Sequence, residues 1–171
     1  MTAVNSLEPD VIHAQPPDDA FHPGGDYSGR DLTGINLSGR HLSGACFRGA
    51  ILRKARLKGA RLDGADLEQA DLEEADLELA VLGGANIRGA RFQRASLKRC
   101  NLVGANAAGA DFTGADLYYS RPGNADFSEA ILRCAQLERA IFRRANLSHA
   151  DMTGATGQPN LENAVLEGVK K

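Results

Sequence analysis

A large apolar residue recurs at every fifth position of the chain between residues 27 and 152. Of these 26 positions, 16 hold Leu and five hold Phe, and only Ala107 and Pro122 break the series. Two positions earlier stands a small residue, which is Ala in 20 of the 22 units between residues 45 and 150. A period of five fits neither a helix nor a strand, so the pattern predicts a repeat architecture in which every unit turns the same corner.

We number the positions of each unit 1 to 5, with the small residue at position 1 and the large one at position 3. Position 2 is Asp or Asn in 14 of 26 units, short polar groups that bond to nearby backbone at a corner. Position 5 is Gly in 13 of them, which indicates a turn with positive φ. Between Tyr119 and His149 position 5 is never Gly, so we expect a different turn type in the C-terminal part.

The units A-D-L-E-Q, A-D-L-E-E and A-N-I-R-G resemble those of the pentapeptide-repeat proteins, whose motif is A-(D/N)-L-x-x. The resemblance extends over about residues 25–156 without an insertion. It implies an all-β fold, a right-handed, four-sided parallel β-helix of about six to seven coils. Each unit would form one side, so that residues twenty apart lie on neighbouring coils. With coils about 4.8 Å apart, the rod is on the order of 30 Å long.

The large and small positions both point into this predicted rod. A second large residue on each side would overfill a narrow square core, so position 1 must stay small. Ala107 would leave a space between Ile87 and Phe127, into which we expect Phe127, together with Phe112, to lean. The core determinants are predicted to be Leu32, Leu52, Leu72, Phe92, Phe112 and Leu132.

Three segments divide the chain. Residues 1–24 are rich in Pro and acidic residues without apolar periodicity and predict a flexible N-terminal arm, with Phe21 or Val11-Ile12 covering the first coil. Residues 25–157 form the repeat rod. Residues 158–171 are a C-terminal cap or frame-shifted final repeats: Asn160 either begins two more units or caps a short helix, and both would shield the edge of the last coil.

Composition limits the classes of binding partner and the cellular location that we expect. The chain has 171 residues and a formal net charge of -2, which predicts neither nucleic-acid nor membrane binding. No signal peptide or membrane span is evident, so we expect a cytoplasmic protein. The three Cys residues have no spacing typical of disulfides or zinc sites.

Charged residues fall into columns of alternating sign. Lys54, Glu74 and Arg94 are predicted to stack, and the acidic run from Asp63 to Glu78 forms one coil between two basic coils. The best-known activity in the family is protection of DNA gyrase and topoisomerase IV by rods proposed to mimic duplex DNA. Such mimicry needs unbroken acidic columns, so topoisomerase binding is an alternative here and not the main hypothesis.

Two surfaces are candidates for protein contact. Tyr118, Tyr119 and Arg121 lie beside Pro122, which removes a ladder donor and is expected to bulge that side. The alternative is that Lys98, Arg99 and Arg139 cover the rings by cation-π contact. The second candidate is a flat, weakly charged strip that includes Val81, Val103 and Ile141. The strip would support a dimer or a partner, or have no role.

No pattern of catalytic chemistry is present in the sequence. A filled rod lacks a concave, dry pocket, and the four His residues have no metal-ligand spacing. We therefore expect no enzyme activity, no cofactor and no metal. The sequence favours a non-catalytic interaction or scaffold rod with an unidentified protein partner. The alternatives are a topoisomerase-interacting protein of the quinolone-resistance type and a self-assembling structural module, such as a homodimer.

Overall fold

The fold is a right-handed, four-sided parallel β-helix, which confirms the predicted class. The computed structural model describes residues 20–171, so most of the predicted N-terminal arm lies outside the described residues. From Asp26 with Cys46 to Gln136 with Thr156, position 2 of every unit except that of Arg121 forms a single-residue parallel bridge to the residue twenty further on. Residues 20–171 contain no helix and no longer strand, and hence no helix able to cross a membrane.

Each unit closes its corner in the same way. The carbonyl of the large residue accepts a hydrogen bond from the N–H three residues later, as in Ala45 to Leu42 at 3.0 Å. The N–H of the large residue donates to the next coil, as in Leu42 to Arg61 at 2.7 Å. This repeated pairing satisfies the backbone inside a fold that has no extended strands.

The four sides are named by their large residues. Consecutive units along the chain occupy Faces A, B, C and D in turn. Face A is built on Leu42, Leu62, Leu82, Leu102, Pro122 and Phe142; Face B on Phe47, Leu67, Ile87, Ala107, Phe127 and Leu147; Face C on Leu52, Leu72, Phe92, Phe112, Leu132 and Met152; and Face D on Leu57, Leu77, Leu97, Leu117 and Leu137.

The core has the composition that the sequence predicts. Of the six core determinants, five are fully buried, and Leu32 is half-buried because it lies in the first coil. Burying each Leu or Phe side chain contributes roughly 1.5–3 kcal/mol. The five are Leu52, Leu72, Phe92, Phe112 and Leu132.

The turns correct one prediction. Position 5 adopts a positive φ whether or not it is Gly, for example 64° at Gly109, 59° at Glu129 and 57° at Arg144. No residue at position 4 is among those with positive φ. Among the standard turns, only type II combines a negative φ at the first central residue with a positive φ at the second. The expected change of turn type after Tyr119 is therefore wrong. The ladder on both sides fixes the corner and overrides the preference of the residue.

Aromatic rings close the first coil. Phe21 stacks on Tyr27 with 4.6 Å between centroids, and Tyr27 stacks on Phe47 at 5.0 Å. The backbone N–H of His22 donates to the Tyr27 hydroxyl at 2.8 Å. Phe21 therefore packs on the first coil, which was one of the two predicted alternatives, and the other, Val11-Ile12, lies outside the described residues.

The end of the described chain continues the rod. Ile141 bridges Asn160, and Asn146 bridges Val165, so the spacing shortens from twenty residues to nineteen. Gly157 takes up the missing residue with φ of 94°, and a Cβ there would overlap the backbone nitrogen of Glu138. Residues 160–170 are repeat units and contain no helix.

Candidate functional site

The charged columns of Face C form a closed ion-pair network. Asp71, which is almost fully buried, accepts hydrogen bonds from Arg53 at 2.7 Å and Arg91 at 3.2 Å. Lys54 and Arg94 lie 3.7 Å and 3.1 Å from Glu74. The predicted acidic coil between two basic coils is confirmed, and its charges pair with each other. Exposed pairs of this kind contribute about 0–1 kcal/mol each.

Most corners carry a second hydrogen bond, which we call the corner cap. Where position 2 is Asp or Asn, its side-chain oxygen accepts from the N–H of position 4, as in Ser28 to Asp26 at 3.0 Å and Thr113 to Asp111 at 2.8 Å. At Asp26, Asp31 and Asp151 the cap also lowers the pKa of the carboxyl. The Thr153 hydroxyl and N–H, helped by Arg133, bring the pKa of Asp151 to about 2.

Face A has the fewest corner caps. Within residues 20–171, only Asn101 and Asn160 provide them on this face, whereas Face B has six, at Asp26, Asp66, Asn86, Asn106, Asp126 and Asn146. Five other units of Face A have no Asp or Asn at position 2, and their position-4 N–H groups donate to no acceptor within residues 20–171. The replacing residues are His41, Arg61, Val81, Arg121 and Ile141.

Face A is also unusually smooth. The only glycines at position 4 between residues 28 and 153 are Gly83 and Gly123, and both lie on this face. Neither has a positive φ, and a Cβ at either would make only ordinary contacts. The backbone therefore does not require glycine at these positions. The effect of the two residues is to leave the surface flat.

Pro122 interrupts the ladder in the same region. Every neighbouring large residue donates to the next coil, but proline has no N–H, and the bridge between Arg121 and Ile141 is missing. The ladder resumes at once, since Asn124 donates to the carbonyl of Arg143 at 2.9 Å. The expected loss of a donor occurs, but the interruption is limited to one hydrogen bond.

A shallow depression of about 230 Å³ lies over this interruption, and we call it the Pro122 depression. Arg121 and Arg144 make no ion pair within residues 20–171, whereas Arg143 binds Glu162 with 3.0 Å between Nε and Oε2. The side chain of Val103 is 39% exposed. The lining residues are Val103, Arg121, Gly123, Asn124, Ile141, Arg143 and Arg144.

The structure regroups the predicted contact residues. Tyr118 and Tyr119 pack edge to face on Face D, with 5.2 Å between centroids. Arg139 lies 5.4 Å from the centre of the Tyr119 ring and donates to its hydroxyl at 3.3 Å. Lys98, which was expected to help cover the rings, instead pairs with Asp116 at 3.1 Å. Tyr119 remains 40% exposed beside Arg139.

Arg121 therefore does not belong with the tyrosines. It lines the Pro122 depression together with Val103 and Ile141, so this part of the predicted grouping is wrong. Val81 is half-buried on the same face, two coils earlier than Arg121. Sequence reasoning missed Gly123, Arg143 and Arg144. The available signal was the absence of Asp or Asn at both residue 121 and residue 141.

Among the described residues, the cysteines and acidic residues add no further site. Cys100 is fully buried, and burial raises the pKa of its thiol far above the ordinary value. Cys46 is half-buried and Cys134 is exposed. Within the described part of the chain, no group of three His, Cys, Asp or Glu side chains could hold a metal ion.

Comparisons with known proteins agree with the repeat geometry. A family model described as pentapeptide repeats matches residues 31–69, 60–99, 90–121 and 123–156, with eight copies. No curated protein matches the sequence significantly.

A comparison with solved structures also found similar proteins. A trypsin-treated variant of QnrB1, a plasmid-mediated fluoroquinolone resistance protein, is 25% identical over 88% of this chain and 80% of its own, with a TM-score of 0.63. A second such variant is 21% identical over 87% and 90%, with a TM-score of 0.57. HetL from the cyanobacterium Nostoc sp. strain PCC 7120, a protein involved in regulating heterocyst differentiation, is 26% identical over 88% and 86%, with a TM-score of 0.44.

Proposed function

Because the chain belongs to the pentapeptide-repeat family, we propose that it is a non-catalytic interaction rod whose Face A binds a protein partner. The supporting observation is the loss of corner caps on this face, which leaves backbone donors open beside apolar side chains. Elsewhere the position-2 residues satisfy the corner backbone more often. On Face A, the uncapped backbone N–H groups at position 4 remain available to a partner.

The shape of Face A supports the same proposal. Gly83 and Gly123 keep position 4 flat, and Val81, Val103 and Ile141 supply apolar surface. Protein interfaces combine an apolar centre with a small number of polar contacts and enriched arginine. Faces B and C present more capped corners, and on Face C the charges already pair with each other.

The experiment compares partner capture by variants that fill different faces. Gly83→Gln with Gly123→Gln adds bulk to Face A without straining the backbone. The matched control, Ala108→Gln with Ser128→Gln, adds the same side chains at position 4 of Face B. We expect a partner captured from the native host to be lost only with the Face A variant. Equal retention by both variants would refute the proposal for Face A.

Self-assembly is tested with the same variants. If the partner is a second copy of the chain, sedimentation of the purified protein shows a dimer that the Face A variant dissociates. A monomer at all accessible concentrations excludes this form of the proposal and leaves a different protein as the partner.

A second candidate function comes from the similarity to QnrB1. The 25% identity and TM-score of 0.63 to this fluoroquinolone resistance protein favour a related activity, and a topoisomerase would then be the partner, as the family resemblance implies. The charge arrangement disfavours it, because Arg53 and Arg91 bind Asp71 and interrupt the acidic columns. A gyrase supercoiling assay with a quinolone decides the matter. If micromolar protein neither inhibits gyrase nor protects it from the quinolone, this candidate is eliminated.

A further inference from the structure

We infer that the Pro122 depression binds an acidic, aliphatic peptide segment of the partner, with a carboxylate between the arginines and an aliphatic side chain on Val103 and Ile141. This inference rests on the proposed function and specifies the ligand chemistry of Face A. It follows from the charges, the open backbone donors and the size of the depression.

The arginines supply uncompensated positive charge. Arg121 and Arg144 form no ion pair with an acidic side chain within the described residues. By contrast, ion pairs are formed by Arg48, Arg53, Arg91 and Arg133. Guanidinium groups bind carboxylates through two parallel hydrogen bonds. An acidic ligand therefore gains contacts here that it does not gain on Face C.

One of the arginines that line the depression already binds a carboxylate. Arg143 donates to Glu162 through Nε at 3.0 Å and through a terminal nitrogen at 3.3 Å. The Glu162 side chain is 54% exposed, so a ligand carboxylate can compete with it. This internal pair shows the geometry that we expect for the ligand at Arg121 and Arg144.

The backbone supplies two more donors. The N–H groups of Gly123 and Arg143 occupy the position that a side-chain oxygen caps in other units, and Arg121 and Ile141 cannot provide that oxygen. Because Gly123 has no side chain, a ligand oxygen can reach its N–H closely. Backbone N–H groups beside arginine are typical of carboxylate recognition.

The apolar surface and the size indicate a peptide in preference to a nucleic acid. A volume of about 230 Å³ holds one or two side chains, with Val103 and Ile141 below them. Nucleic-acid binding uses a long basic track, with exposed aromatic rings for stacking when the strand is single. On Face A, Arg61 lies 3.6 Å from Asp63, so its charge is already paired within this face.

The test measures fluorescence anisotropy of the full chain with a labelled peptide that has Leu-Asp-Leu-Glu at its centre. The comparison peptide replaces the acids by Asn and Gln. We expect the acidic peptide to bind more tightly by about tenfold or more, and more weakly in high salt. Arg121→Gln with Arg144→Gln should remove this preference.

Two further variants make the test specific. Arg56→Gln with Arg99→Gln is the matched control, because Arg56 occupies position 2 and Arg99 position 5 of Face D, and neither forms an ion pair in the described part of the chain. It should leave the affinity unchanged. Glu162→Gln releases Arg143 and should tighten binding about twofold to fivefold. A variant that simply unfolds cannot produce this opposite effect.

Several outcomes would overturn the inference. These are equal binding of the two peptides, equal losses with the control pair, no gain with Glu162→Gln, or tighter binding of a short oligonucleotide than of the peptide. If the acidic peptide fails while the partner is still lost with the Gly83 and Gly123 variant, only the ligand chemistry is wrong. If the partner is retained by that variant, the proposed function of Face A fails as well.

Discussion

The ring of Phe127 stacks on that of Phe112, with 5.2 Å between centroids, although the two residues lie on adjacent faces of the rod. Phe112 stacks in turn on Phe92 directly along its own face at 4.9 Å. The contact between Phe127 and Phe112 exists because Ala107, the residue of the preceding coil beneath Phe127, leaves room for the larger ring. One small residue is thus compensated by one large residue in the next coil.

This compensation predicts a coupling between residues 107 and 127. Ala107→Leu alone should destabilise the rod by about 1–3 kcal/mol through overpacking. Phe127→Leu alone should destabilise it by roughly 1–2 kcal/mol through a cavity. The double variant restores the regular Leu pattern and should be more stable than the sum predicts, as measured by denaturant unfolding. Simple additivity would show that the two sites do not share the same space.

The left-handed corners predict a stabilising substitution. Glu129 has φ of 59°, and its side chain makes no hydrogen bond or ion pair within residues 20–171. Glu129→Gly should raise the free energy of unfolding by about 0.5–1 kcal/mol, because glycine relieves the strain and its greater freedom in the unfolded chain offsets only part of the gain. Ser128→Gly, at position 4 of the same turn, should destabilise the rod. Loss of stability in both variants would contradict the assigned turn.

The Face C network predicts unequal effects of removing two of its charges. The Asp71 side chain is 13% exposed and that of Glu74 is 41% exposed. Asp71→Asn should cost about 1–3 kcal/mol because it weakens two arginine contacts in a nearly buried position. Glu74→Gln should cost about 0.2–1 kcal/mol, and less in high salt. Equal costs measured by thermal unfolding at low salt would show that burial does not control the network.

Asp151 predicts a loss of stability in acid. Its pKa is about 2 in the folded protein, below the ordinary value of 3.8, so the unfolded chain binds more protons between these values. Stability should therefore rise with pH through this window, and the contribution of Asp151 should be complete above it. Melting temperatures from pH 2 to 6 should fall less steeply in acid for Asp151→Asn than for the natural chain. Glu129→Gln removes a carboxylate whose side chain makes no such hydrogen bonds or ion pairs, and it serves as the matched control.

The sequence determines the core and the charge columns well. One large and one small residue per corner can only fill a narrow axis, so the burial of Leu72 and Phe92 follows from volume alone. The stacking of Glu74 between Lys54 and Arg94 follows from the spacing of twenty residues. These predictions depend on the spacing of twenty residues between neighbouring coils, which holds as far as the bridge between Gln136 and Thr156.

The turns and the candidate site depend on information that single positions do not contain. Arg144 adopts a left-handed corner because the coils on both sides impose it, although the residue itself disfavours it. Arg121 was grouped with Tyr119 because they are close in the chain, but position 2 and position 5 direct their side chains to different faces. The C-terminal alternatives stayed open because Asn160 begins a helix or a repeat unit equally well.

The most direct test of the account is amide hydrogen exchange by NMR at Gly123 and Arg143, compared with the capped amides of Thr113 and Ser128. We expect fast exchange at Gly123 and Arg143 in the free protein, and slower exchange at these two amides when the acidic peptide or the captured partner is added. Equal protection of all four amides in the free protein, or slowing confined to Faces B and C, would contradict the claim that uncapped corners make Face A the binding surface.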